Sequence, residues 1–217
     1  MKLLLIGCTG PSGRVLITEA LNRDHKITIY ARNPSKLDPS LKDNPNVNII
    51  QGEMTDEARL REALHGQDAV LSFLSPSPNQ QTDHVITDSF KVLFAGMKAE
   101  GVMRFVGTGT PSFRDPKDKS TWALWFAICL VRFLLPKVYR DVVSYSGMVA
   151  HETEIEWSWF RLMWVNSKPK TGKILAGYEG DGKMSFGGIR REDLAETMLD
   201  ELTERNWIRQ MPILRTV

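Results

Sequence analysis

The sequence predicts an α/β protein built as a doubly wound parallel sheet, and three observations carry that prediction. Short apolar runs rich in Val, Ile and Leu alternate with longer segments of helical period, the pattern of strands joined by crossover helices. A glycine-rich stretch, GCTGPSG at residues 7–13, stands where the first strand would pass into the first helix. No internal repeat or low-complexity linker divides the 217 residues, which suffice for one domain (1–217) with a substantial core.

Taken in order, KLLLI (2–6) is the first strand, too short for a secretory h-region and leading into glycine rather than a cleavage site. A helix at about 12–23 returns the chain to KITIYA (26–31) and then NVNIIQ (46–51). Helices at about 56–65 and 83–99 flank DAVLSFL (68–74), and MRFVGT (103–108) follows as the fifth strand. WALWFAICLVRFLL (122–135) is the most apolar segment, yet it holds Arg132 and falls short of the ~20 residues a bilayer span needs. It reads as a buried or interface helix, a candidate surface for a homodimer or another protein. Trp122 and Trp125 would also suit a lipid headgroup boundary. A helix over 137–154 precedes the sixth strand, EWSWFRLM (156–163). KILA (173–176) and KMSFG (183–187) form a small substrate-side addition, and Leu194, Ala195, Met198, Leu199 and Leu202 give a last helix its buried face.

The first strand-to-helix turn of such a fold is where a pyrophosphate meets the positive end of a helix. In GCTGPSG, Gly7 would permit the sharp turn, Gly10 a close approach of backbone to phosphate, and Gly13 tight packing of helix on sheet. Thr9 and Ser12 add hydroxyls, and Pro11 belongs to the same loop. A site for NAD commonly has Asp or Glu at the end of the second strand to bind the ribose 2′-hydroxyl. Here the segment is Tyr30-Ala31-Arg32-Asn33-Pro34-Ser35-Lys36, so Arg32 and Lys36 favour a 2′-phosphate and hence NADP(H).

GCTGPSG, YARNPSKL, IIQGEM, GQDAVLSFLSPSPNQQT, GMKAEGVMRFVGTGTPSF, IEWSWFRLM and GGIRREDLAETML together resemble the atypical short-chain dehydrogenase/reductase superfamily, a Rossmann-like fold. Within it they are most similar to the NAD(P)-binding, NmrA-like branch that contains biliverdin-IXβ reductase, also called flavin reductase. The resemblance implies that the glycine loop holds the pyrophosphate and that Arg32 with Lys36 holds the 2′-phosphate. It also implies that Glu53 and Met54 border the adenine, while Leu74 and Ser75 approach the ribose and nicotinamide. Thr108 and Thr110 stand where the family often carries Ser or Thr beside the nicotinamide, as candidate catalytic groups. Met163 and Trp164 fall in a substrate loop that departs from the family's Arg-Pro-Gly or Pro-Pro, and Arg190 replaces a common Ser or Thr.

The Tyr-x-x-x-Lys pair of carbonyl-reducing relatives is missing, because the residues four after Tyr30, Tyr139, Tyr145 and Tyr178 are Pro34, Val143, Val149 and Gly182. The expectation is an NADPH-dependent reductase of a planar or conjugated acceptor such as a flavin or quinone. A non-catalytic NADP(H) sensor is the alternative, with a sugar isomerase or epimerase third. No metal is expected, since HETEI (151–155) puts Ile155 where a zinc protease needs its second histidine. A net charge of +2 gives no reason to expect nucleic acid. Cys8 and Cys129 make no disulfide framework, which points to a reducing, cytoplasmic setting. Cys8 reads as a small loop residue, with a thiol pKa lowered by the nearby helix N-terminus as the alternative. SPSPNQQ (75–81) and TPSFRDPKDKS (110–120) read as a lid or as plain surface loops.

Overall fold

The computed structural model describes residues 1–80, 82–181 and 187–217. Its elements run β1 (Lys2–Ile6), α1 (Pro11–Asn22), β2 (Lys26–Ala31), β3 (Val47–Gln51), α2 (Glu57–Leu64), β4 (Ala69–Ser72), α3 (Val85–Ala99) and β5 (Arg104–Gly109). They continue with α4 (Trp122–Leu134), α5 (Pro136–Ala150), β6 (Glu156–Leu162), β7 (Val165–Asn166), β8 (Ile174–Gly177), β9 (Ile189–Arg190), α6 (Arg191–Glu204) and β10 (Ile213–Thr216). An eight-stranded sheet has the order β3-β2-β1-β4-β5-β6-β10-β8, with only β8 antiparallel to its neighbour. The order reverses between β1 and β4, and in open α/β sheets ligands bind at such a switch point.

Strand period decides which helices cover which face. Leu3 and Leu5 of β1 join Leu16 and Ile17 of α1 and Leu194, Met198 and Leu199 of α6 in one core. Leu4 and Ile6, pointing the other way, join Leu60, Phe90, Leu93 and Tyr145 from α2, α3 and α5 in a second. The central strands are thus covered on both faces, which explains why KLLLI is a continuous apolar run rather than an alternating one.

The structure sharpens the reading at four places. KILA supplies β8, and this addition joins the main sheet by pairing with β10. PILRTV supplies β10, a strand that its Arg and Thr disguised and that exists because β6 offers a free edge. The helix expected over 137–154 stops at Ala150, since the Glu152 carboxylate accepts the N–H groups of Glu154 and Ile155 and turns the chain. Finally, of the two readings of α4 the buried one fails: Leu124 alone of its 13 residues is buried, while Trp122 is 85 % and Phe133 83 % exposed. Most of KMSFG, residues 183–186, lies outside the described residues.

Candidate functional site

The glycines of the first turn have distinct geometries. Gly7 has φ +74°, and a Cβ there would stand 2.7 Å from the backbone of Phe73 and Leu74. Gly13 is tighter still, since its Cβ would lie 2.2 Å from the Cα of Cys8. Gly10 is different: its φ of −85° suits any residue, and a Cβ would meet nothing within 4 Å. Two glycines therefore pack the turn, whereas the third leaves open space.

Gly10 is also the N-cap of α1, makes no side-chain cap, and is followed by Pro11, which has no N–H. The N–H groups of Ser12 and Gly13 precede the first internal acceptors of the helix and are directed out of its positive end. An open helix N-terminus beside a backbone stripped of Cβ fits the pyrophosphate of a dinucleotide.

Gly7, Gly10, Pro11, Ser12 and Gly13 form one side of a cavity of about 430 Å³. Ser75, Thr108, Thr110, Met163 and Trp164 line it as well, so residues from the ends of β1, β4, β5 and β6 meet there. Thr108 is 8 % exposed at the end of β5. The Thr110 oxygen accepts the N–H of Ser112, which leaves its own proton available for donation. Trp164 is 44 % exposed and lies against Gly188, where a Cβ would come within 2.1 Å of the indole nitrogen.

Further cavity residues escaped the sequence reading. Phe73, Val138, Val142, Tyr145 and Leu194 belong to its wall. Val138, Val142 and Tyr145 follow one face of α5 at helical spacing, a pattern that does not distinguish a cavity wall from a core face. The Tyr145 phenol is pushed up by burial and by the Asp141 charge, so it stays protonated. One turn on, Val149 is buried in the core.

Arg32, Lys36, Glu53, Thr9, Met54 and Leu74 lie outside this lining. Arg32 and Lys36 are exposed at the end of β2, around the short 3₁₀ turn Pro34–Lys36. Arg14 donates to the Lys36 carbonyl at 2.9 Å, so a third cation joins this corner. Its signal in the sequence was its place directly after the last glycine. The Tyr30 hydroxyl donates to the Glu53 carbonyl at 2.7 Å and orders the loop after β3, while Met54 is half-buried against the core. Leu74 also packs inward, its N–H held by the Ser72 hydroxyl.

Segment 110–120 is not a loose lid. Arg161 donates to both oxygens of Asp118, at 2.5 and 2.9 Å, and both side chains are buried. Arg161 also donates to the carbonyls of Met211 and Phe113, which accounts for a fully buried arginine in β6. On the far side of the cavity, Asp141 of α5 accepts the N–H groups of Ile86 and Thr87 at 3.0 Å and caps α3 from outside. That cap sets the position of α5, and with it the wall of the cavity. Cys8 is the small packed loop residue the sequence predicts, and the alternative of a lowered thiol pKa fails: burial raises it to about 12, and the thiol points at the Ile6 carbonyl. The missing solvent outweighs the helix end.

The model of the NAD(P)H-binding family matches residues 7–205 of this chain. Among solved structures, a short-chain dehydrogenase/reductase from Veillonella parvula in complex with NADP aligns with TM-score 0.80 at 17% identity, covering 99% of this chain and 94% of that one. ChuY, an anaerobillin reductase from Escherichia coli O157:H7, aligns with TM-score 0.78 at 14% identity over 99% of this chain and 97% of its own. At such identities the likeness is one of fold. Oxidoreductase dmxR7 from Cryptosporiopsis sp. is 33% identical over 117 residues, 52% of this chain and 47% of the relative. Oxidoreductase GME11367 from Pestalotiopsis microspora is 29% identical over 97 residues, 43% of this chain and 37% of the relative. These matches span less than half the length of either curated relative.

Proposed function

Because the chain belongs to the NAD(P)H-binding family, we propose that it is an NADPH-dependent oxidoreductase of a small planar or conjugated acceptor, such as a flavin or quinone. What carries the reading is the shared cavity, in which the open N-terminus of α1 faces a wall containing Phe73, Met163 and Trp164. The first suits a pyrophosphate and the second a flat ring. NADPH, when bound, supplies a hydride.

The protein's own part is to bind, orient and exclude water. Ser12 and Gly13 offer N–H groups to phosphate, with Gly7 and Gly10 shaping the turn and Thr9 beside it. Arg32, Lys36 and Arg14 form a cationic corner for the 2′-phosphate, and no acid stands at the end of β2 to repel it. Glu53 and Met54 border the adenine, and Leu74 and Ser75 the ribose. Thr108, Thr110 and Tyr145 bring hydroxyl protons to the cavity, with Thr108 and Thr110 as the catalytic candidates. Naming of the curated relatives as oxidoreductases and of one structural neighbour as a reductase supports this class. Both cysteines are free, in keeping with a cytoplasmic enzyme.

The test is to titrate NADPH and NADH, then follow loss of nicotinamide absorbance with a panel of flavins and quinones. NADPH oxidation by a member of the panel is expected. Tight binding without turnover on any acceptor would point to an NADP(H) sensor instead. Arg32→Ala should weaken NADPH by roughly 1–3 kcal/mol, the scale of a charge-assisted hydrogen bond, and spare NADH. Equal losses for both cofactors would remove Arg32 from the 2′-phosphate site.

A further inference from the structure

Helix α4 presents its apolar residues to the wrong side for a core helix. Trp122, Trp125, Phe126, Leu130, Phe133 and Leu134 recur at helical spacing and are 48–85 % exposed, whereas Leu124 on the opposite side is buried. Four aromatic rings of about 150–250 Å² each make this patch large against the few hundred Å² usual for a monomer's apolar surface. A patch of that kind is an interaction surface.

Its charge says what interacts. From Lys119 to Arg140 the chain carries Lys119, Arg132, Lys137 and Arg140 and no Asp or Glu. An isologous contact between two copies of α4 would bring these cations toward their own counterparts, which is unfavourable. A surface of anionic lipid satisfies both features, because tryptophans seat at the headgroup boundary while Lys and Arg meet the phosphates. The helix lies on such a surface rather than crossing it: α4 has 13 residues and is bent by 118° from α5.

We propose that α4 is a membrane-surface anchor that docks the protein on anionic bilayers through Trp122, Trp125, Phe126 and Phe133. Lys119 and Arg132 supply the electrostatic part, Arg132 from beside the Tyr139 ring at 5.9 Å. Arg140 is held by Asp83 at 2.9 Å and contributes less. Val138 and Val142 on the adjoining α5 line the cavity, so docking sets the site beside the lipid. The inference does not depend on the reaction catalysed.

Co-sedimentation with vesicles of phosphatidylcholine containing about one-third phosphatidylglycerol, against pure phosphatidylcholine, tests it. Binding to the anionic vesicles alone is expected, falling as salt rises. Trp122→Ser/Phe133→Ser should abolish it, and Lys119→Gln/Arg132→Gln should weaken it roughly tenfold or more, both with unchanged thermal unfolding midpoints. Three results would overturn the proposal: no binding to anionic vesicles, binding that neither variant alters, or a dimer in sedimentation equilibrium that the Trp122/Phe133 variant dissociates.

Discussion

At the scale of single residues, the glycine loop separates folding from binding. Gly13 touches the backbone of Cys8, so a methyl group has no flexible side chain to push aside. Gly13→Ala is expected to cost on the order of 3 kcal/mol, the upper range for overpacking, or to prevent folding. Gly10→Ala adds its methyl to open space at an ordinary φ, so its unfolding midpoint should stay close to that of the parent. The same methyl stands where phosphate must approach, and NADPH affinity should fall. Thermal unfolding with and without NADPH reads both effects: the parent gains about 2.7 kcal/mol at a hundredfold excess of ligand over Kd, and Gly10→Ala should gain much less. The spacing of the glycines, the turn at Gly7 and the tight packing at Gly13 were legible in the sequence, but the neighbours that enforce them were not. Those neighbours are Cys8, Phe73 and Leu74, whose approach is set by the sheet.

At the scale of elements, a buried ion pair fastens the segment before α4 to β6. The Asp118 carboxylate accepts two bonds from Arg161 and also the N–H groups of Asp115 and Glu179. Removing one member of such a pair leaves the other charged and buried, so Asp118→Ala should cost about 3–5 kcal/mol in urea unfolding. Hydrogen exchange should rise first over residues 110–121. Sequence pattern could not reveal this clasp, because RDPKDKS reads as an exposed charged loop and Arg161 lies 43 positions from Asp118. By contrast, β1 to β6 and α1 to α3 were legible, since each buries a face whose period shows in its own residues. β8 and β10 were obscure for the opposite reason: they are short, and their burial is supplied by each other and by β6. The cavity divides likewise. Its glycines, threonines and Trp164 announce themselves by type and place, while Val138, Val142 and Tyr145 look like any buried helix face until α5 is seen to border the site.

At the scale of the molecule, the buried carboxylates decide how the fold responds to acid. Asp118 and Glu152 have side chains only 2% and 12% exposed. Burial by itself would push both pKa values up, but Arg161 and backbone N–H groups on Asp118, and backbone N–H groups and Lys98 on Glu152, more than offset it. Both therefore titrate below their ordinary values of 3.8 and 4.5. The unfolded chain then binds protons before the folded one does as pH falls. Their stabilisation is complete above the ordinary values and is lost as pH drops through the lower, folded ones. Asp83 and Glu100 shift the same way, but their partners Arg140, Arg61 and His65 are exposed, so solvent and salt screen these pairs. The urea midpoint should accordingly be level from neutral pH to about 5 and fall steeply below about 4. Asp118→Asn lowers the midpoint at neutral pH and flattens the acid slope, because the group that took up the proton has gone. If that variant kept the parent's full acid slope, the proton uptake would belong to other carboxylates, and the Arg161 clasp would not be what joins the α4 segment to the sheet in acid.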